Sequence, residues 1–323
     1  MTEAKQPANL SDLIIKGGEW HPPRLCFYGA EKIGKTSTAA QAPRPFFLGT
    51  DDGRRRLGVD GLPVAASWPE FIGQLQLTAE QAQGLGYQSV VIDTLNGVVD
   101  LCAEHVCATQ FGGKWNDARH GFLAWGGVQG WCSVSEEVKP MLTLLDQVID
   151  AGLWVILLSH EHYVTVKDPI EGDYQRVQPA IDRRPLNRVM GWLDCILHVD
   201  YQIELVGDDL RKRAKADPNK RVIRTVRTPA EAAGCRVGYE LPPVLPFDWH
   251  SLEDRLGKPD NELADRCRGL IQVQDEATAS KVLSWLEVDD LDDLGKVPAH
   301  KLRQTINRLQ GIKPEPNQTG EKP

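Results

Sequence analysis

The chain has 323 residues, 41% of them hydrophobic and 25% charged, with a formal net charge of -8. That composition excludes a wholly disordered chain, and the length excludes a miniprotein dependent on disulfide staples. The size suits one large domain or two smaller ones, and no run reaches the roughly 18 apolar residues of a membrane span.

Residues 1–23 are polar and read as a lead-in; their opening, MTEAKQPANLSDL, lacks the basic and apolar regions of a secretory signal. The short apolar run 24–29 predicts a strand ending at Gly29, followed by a helix over 35–41 that stops before Pro43. A second buried strand is expected at 45–49, then the turn Thr50-Asp51-Asp52-Gly53, a third strand at 62–66 and a helix at 69–83. Residues 88–92 predict a strand ending at Asp93, residues 95–109 a helix, and the Gly- and Trp-rich stretch 110–132 a long loop. An amphipathic helix at 134–150 precedes the most apolar strand, 153–159. Short apolar strands alternating with helices indicate a parallel sheet covered on both faces.

After residue 160 the pattern changes. Residues 161–188 are polar with scattered arginines, and 194–206 with 221–227 read as a hairpin around a basic turn. Residues 236–248, with three prolines, suit an edge segment, and 259–310 suit short acidic helices before a terminal tail. Charge is segregated: Arg211–Arg227 holds eight Lys/Arg against one acid, whereas Ser251–Lys296 holds twelve acids against six bases. Seven scattered cysteines without a CxxC pair are expected as reduced thiols, which disfavours zinc and points to the cytoplasm, the host's if the chain is viral.

The strongest chemical signal is Gly29-Ala30-Glu31-Lys32-Ile33-Gly34-Lys35-Thr36, followed by Ser37, which fits GxxxxGK[ST] between a strand and a helix. Glycines let backbone N–H groups point inward at phosphate oxygens, and the helix start adds its positive end. In that pattern Lys35 reaches the outer phosphates of ATP and the Thr36 hydroxyl ligates Mg2+. Asp93, closing an apolar strand, supplies the second expected Mg2+ ligand. Thr94 stands where many AAA+-type ATPases place a catalytic Glu, so the group that polarises water is sought elsewhere. Asp51 is the favoured candidate over Asp52, the alternative being a plain Asp-Asp-Gly turn. His160, at the end of the 153–159 strand, is placed to sense the terminal phosphate, the alternative being an exposed loop histidine.

The order GAEKIGKTS, FFLGTDDG, VVIDT, WVILLSHE resembles the RecA-type ATPase core. With Cys235-Arg-Val-Gly-Tyr-Glu-Leu-Pro-Pro, it is similar to phage-encoded RecA-like proteins of the Sak single-strand annealing type, over about residues 10–250. That family has Glu where this chain has Asp51. The resemblance implies an α/β RecA-like P-loop NTPase core with a mostly parallel sheet. In it the strand ending at Ser159 lies between the phosphate-loop strand and the Asp93 strand. The implied division is lead-in 1–23, ATPase core 24–250, acidic helical appendage 251–310 and disordered tail 311–323.

The resemblance also implies single-stranded DNA as partner and a homo-oligomer, ring or filament, with ATP at subunit interfaces. It admits a single-strand-binding protein as a further partner. The residues at 110–132 (Lys114, Trp115, Arg119, His120, Trp125, Trp131) and 161–188 occupy places matching DNA-binding loops, although Trp125 and Trp131 are better read as packing on the 134–150 helix. Lys167, Arg176, Arg183 and Arg184, with Lys212, Arg213 and Lys215 of the basic turn, are the DNA-contact candidates. Arg224, Arg227 and Arg236 are candidates for completing a neighbour's ATP site. The expected function is a DNA-stimulated ATPase in phage-type recombination or annealing. Competing readings are a helicase- or loader-type ATPase, a P-loop small-molecule kinase, and a nucleotide-dependent binding module with little turnover.

Overall fold

The computed structural model of the chain describes residues 20–113, 127–170, 172–206, 213–237, 239–258 and 260–311. These form two compact units, one spanning Pro22–Leu256 and one that joins the residues before Pro22 to those from Gly257 onward.

In the first unit the opening strands are β1 (Arg24–Gly29), β2 (Pro45–Gly49), β3 (Asp60–Gly61) and β4 (Ser89–Asp93). They alternate with the short helix α1 (Lys35–Ala39), α2 (Trp68–Gln81) and α3 (Leu95–Gln110). Then follow α4 (Gly127–Glu137), α5 (Lys139–Asp150), β5 (Trp154–Val166), β6 (Tyr174–Pro179) and α6 (Arg183–Trp192). The unit closes with β7 (Cys195–Val206), β8 (Arg213–Arg224), β9 (Gly234–Cys235), β10 (Val244–Pro246) and α7 (Trp249–Leu256).

The strand order is β10-β8-β7-β1-β5-β4-β2-β3, with β6 added to β5 and β9 to β7. The pairings from β7 across β1, β5, β4 and β2 to β3 are all parallel, and β8, β10, β6 and β9 are antiparallel additions. This is a RecA-like P-loop NTPase arrangement, an α/β fold with a mostly parallel central sheet. As the resemblance implied, β5 separates β1 from β4. Because β1 is flanked by strands that come much later in the chain, a crevice opens at its carboxyl end, where α/β sheets bind ligands. The central strands are buried on both faces, as their unbroken apolar runs require; Val90, Val91, Ile92 and Val155–Leu158 are fully buried. One core cluster joins them to Phe71 and Leu75 of α2, Val98 and Val106 of α3, and Leu145 of α5.

Several expectations are corrected. The third strand is Asp60–Gly61 rather than 62–66, because Pro63 has no N–H to give a ladder. The helix expected at 134–150 is two helices, Gly127–Glu137 and Lys139–Asp150. Pro140 lacks the N–H that would continue the helix. The loop expected at 110–132 is helical at both ends; its residues 114–126, including Lys114, Trp115, Arg119, His120 and Trp125, lie outside the described residues. Trp131 is half-buried and packs on the core, as its packing reading expected. The stretch 161–188, matched to a DNA-binding loop, is not a loop: β5 runs on to Val166, pairs with β6 as a hairpin, and α6 follows. The basic turn at 211–221 is largely strand β8, and Lys212 lies outside the described residues.

The second unit holds α8 (Asn261–Gln272), α9 (Glu276–Leu286), a 3-10 turn at Leu291–Lys296 and α10 (Ala299–Leu309). These pack around Cys267, Ile271, Leu286, Leu294, Leu302 and Ile306, all nearly inaccessible to solvent. Three of its acids have a local purpose: Asp260, Asp275 and Asp290 accept hydrogen bonds from the first turn that each precedes. The tail from residue 312 lies outside the described residues.

Candidate nucleotide site

The loop between β1 and α1 is built by backbone constraints that its sequence anticipates. Gly29 lies where any Cβ would collide with the Val199 carbonyl of β7, so glycine is what lets β7 approach. Gly34 has φ +106, a left-handed value costly for other residues. Lys32 takes φ 61 at the loop crest, exposed beside Glu31. Ile33 is buried and its N–H donates to Ala30 O, closing the loop on itself. Ser37 is exposed on the first turn of α1.

Lys35 is 6% exposed, and its Nζ donates to the carbonyls of Gly29 and Ala30, each at 2.8 Å. Burial lowers its pKa, and the nearby carboxylate of Asp93 opposes that. Thr36 Oγ1 donates to Asp93 Oδ2 at 2.9 Å, so the two expected Mg2+ ligands already face one another. Burial pushes the Asp93 carboxyl up to about 6, against the Thr36 hydrogen bond that lowers it. A carboxylate so disfavoured in its ionised form is suited to a cation. The pair fits Mg2+, with both oxygens beside the loop that would hold phosphate.

Asp51 follows β2, which pairs with the Asp93 strand β4. The backbone N–H groups of Thr50 and Asp51 both donate to Asp93 O at 2.8 Å. Its own carboxylate accepts the Gly53 N–H at 2.9 Å, the turn geometry that was the competing reading. Asp52 is ion-paired to Arg55 at 2.7 Å. His160 is placed at the level of Gly29 by the β1–β5 register, and its backbone N–H donates to Asn96 Oδ1 at 3.1 Å. Its Nδ1 is shielded from solvent and has no hydrogen-bond partner. Burial, then Lys35, lowers its pKa, which keeps the ring neutral and able to donate.

Behind the site lies a cluster that sequence reasoning missed. Buried His198, stacked on Tyr28 at 4.8 Å, faces Glu161 at 3.3 Å and Glu231 at 3.5 Å. Arg224 joins Glu231 at 2.8 Å. Of the candidates for a neighbour's site, Arg224 is therefore engaged within its own chain, and Arg236 pairs with Asp194 at 3.1 Å. Arg227 is exposed and carries no ion pair among the described residues. Arg221 of β8 reaches the phosphate loop, its Nη1 donating to Ile33 O at 2.9 Å.

The DNA-contact candidates scatter. Lys167 is exposed just past β5. Arg176 on β6 donates to Pro229 O at 3.0 Å and to the Tyr174 hydroxyl at 2.6 Å. Arg183 is exposed at the start of α6, and Arg184 lies 4.0 Å from Asp182. Arg213 and Lys215 belong to β8.

The AAA domain family matches residues 21–237, more than half of the chain and the whole of the site. No curated protein matches it. Among solved structures, a KaiC-like protein from the hyperthermophilic archaeon Pyrococcus horikoshii is similar over 62% of this chain and 78% of its own, at 13% identity and a TM-score of 0.33.

Proposed function

The chain belongs to the AAA domain family, and on that premise we propose that it is a Mg2+-dependent ATPase that binds single-stranded DNA and acts in phage-type recombination or strand annealing. Nucleotide binding and hydrolysis follow from the family and the RecA-like fold. The proposal adds the DNA, the recombination role and kinship with the Sak-type proteins. The observation that carries the ATPase chemistry is the phosphate loop with Lys35 buried inside it and Thr36 bonded to Asp93.

In this reading Lys35 gives up its two loop carbonyls for the outer phosphate oxygens. Thr36 and Asp93 hold Mg2+, which supplies neutralising charge for the transferring phosphoryl group. His160 donates its free ring N–H to the terminal phosphate. Asp51 orients the attacking water as general base. Arg227 is the candidate best free to complete a neighbour's site in a homo-oligomeric ring or filament. Lys167 and the basic strand β8 are the first places to seek DNA contact, with a single-strand-binding protein as a further partner.

The test is ATP hydrolysis by the wild type and Lys35→Ala, each with and without a single-stranded oligonucleotide. DNA-stimulated turnover that Lys35→Ala abolishes supports the reading. Turnover indifferent to DNA, with no DNA binding at low salt, removes the recombination role and leaves the ATPase. A second reading, a binding module with little turnover, is favoured by the Asp51 carboxylate being held by Gly53. Tight ATP binding without phosphate release would establish it.

A further inference from the structure

We propose that Arg221 is a positioning residue that couples strand β8 to the phosphate loop, so that nucleotide in the loop and the state of the β7–β8 hairpin are linked through one guanidinium. This rests on the nucleotide-binding reading and goes beyond it, because it assigns the hairpin a response to nucleotide.

Two contacts and one close approach converge on this side chain. Its Nη1 donates to Ile33 O inside the loop at 2.9 Å, across 188 residues of sequence. The same nitrogen fills the space over Gly34 that a Cβ would take, so Gly34 is required by its neighbour as well as by its φ of +106. The guanidinium carbon lies 5.9 Å from the centre of the Phe247 ring, a cation–π distance. Phe247 is itself fixed: it is 6% exposed, its N–H donates to Arg221 O at 3.0 Å, and its ring meets Phe27 of β1 edge-on at 6.0 Å. The path therefore closes on the loop from both sides, through Phe27 and β1 and through Arg221 and Ile33.

The pleat explains why this residue and not its neighbour reaches the loop. Residues three apart on a strand point to opposite faces. Arg224 accordingly turns to Glu231, and Arg221 turns to the loop. The guanidinium offers a planar fork of donors. Phosphate entering the loop adds negative charge beside it, strengthening its hold and drawing β8 with it. By linkage, whatever stabilises that position of β8 strengthens nucleotide binding by the same factor.

The experiment uses the full chain with Mg-ADP. ADP affinity is measured by calorimetry, and hydrogen exchange of Arg213–Arg224 is followed with and without ADP, in wild type, Arg221→Gln and Arg221→Lys. The expected result is protection of β8 by ADP in the wild type. In Arg221→Gln that protection is lost and ADP affinity falls roughly 5- to 20-fold; Arg221→Lys recovers part of both. Phe247→Leu, which keeps the guanidinium but removes its aromatic backing, gives an intermediate loss and serves if Arg221→Gln unfolds. ADP binding in the wild type with unchanged exchange in β8, or an ADP response identical in all variants, overturns the coupling alone. Failure of the wild type to bind ADP overturns the nucleotide reading and this proposal with it.

Discussion

Asp93 and His198 are both buried ionisable groups, and they make opposite use of burial. Asp93 titrates near 6 in the fold against an ordinary value of 3.8, so its ionised form is the disfavoured one. A raised carboxyl means that the native state binds the extra proton, and stability rises as pH falls from 6 towards 4. Asp93→Asn keeps an acceptor for Thr36 without the charge. It should stabilise the nucleotide-free protein at neutral pH by about 1–3 kcal/mol in urea unfolding and abolish Mg2+-dependent turnover. A variant less stable than wild type would show that the carboxylate is favourably held.

For His198, burial alone would lower the pKa, but the carboxylates of Glu161 and Glu231 outweigh it and raise it above 6.5. Its stabilising charge is thus fully present below 6.5 and is lost as pH rises through the raised value. Thermal melts across the neutral-to-alkaline range should show that loss in the wild type and a flatter profile in His198→Asn. Equal slopes would remove the ion cluster as the cause.

At the scale of elements, what could be read from sequence depended on whether an element carries its own signal. The strands 24–29, 45–49 and 89–93 are contiguous apolar runs ending in Gly or Asp, and they fold where those runs predict. The outer half of β5 was not legible. From His160 to Val166 neither face is consistently apolar, and the segment is a strand because β6 pairs with it. The same distinction holds in the site. Gly29–Thr36 is one continuous word and was read whole, whereas Arg221 meets Ile33 only through the fold. The closing helix α7 shows a packing dependence of this kind. Trp249, 2% exposed, meets Trp154 of β5 edge-on at 5.2 Å. Trp249→Ala should lower the denaturant midpoint by the equivalent of about 3–5 kcal/mol with an unchanged slope.

At the scale of the molecule, the charge asymmetry of the sequence follows its division into units. The acidic segment from Gly257 has its own apolar centre, and part of its charge caps its helices. A fragment of residues 257–311 should therefore give a helical circular dichroism spectrum and a cooperative, if low, melting transition. A featureless spectrum would show that this core does not suffice alone, as small cores often do not.

The continuity of β5 has a mechanical consequence. One strand begins between β1 and β4, passes His160, and runs to Val166 without a break, stiffened beyond the sheet by β6. At about 3.3 Å per residue, its far end stands about 20 Å from the histidine. Such a strand is a lever with its fulcrum at the phosphate: a tilt of about 6° at His160 sweeps the far end through about 2 Å, by the same rise per residue. The loss of one phosphoryl group, a change smaller than a side chain, would thereby be geared up to a displacement several times larger at Val166.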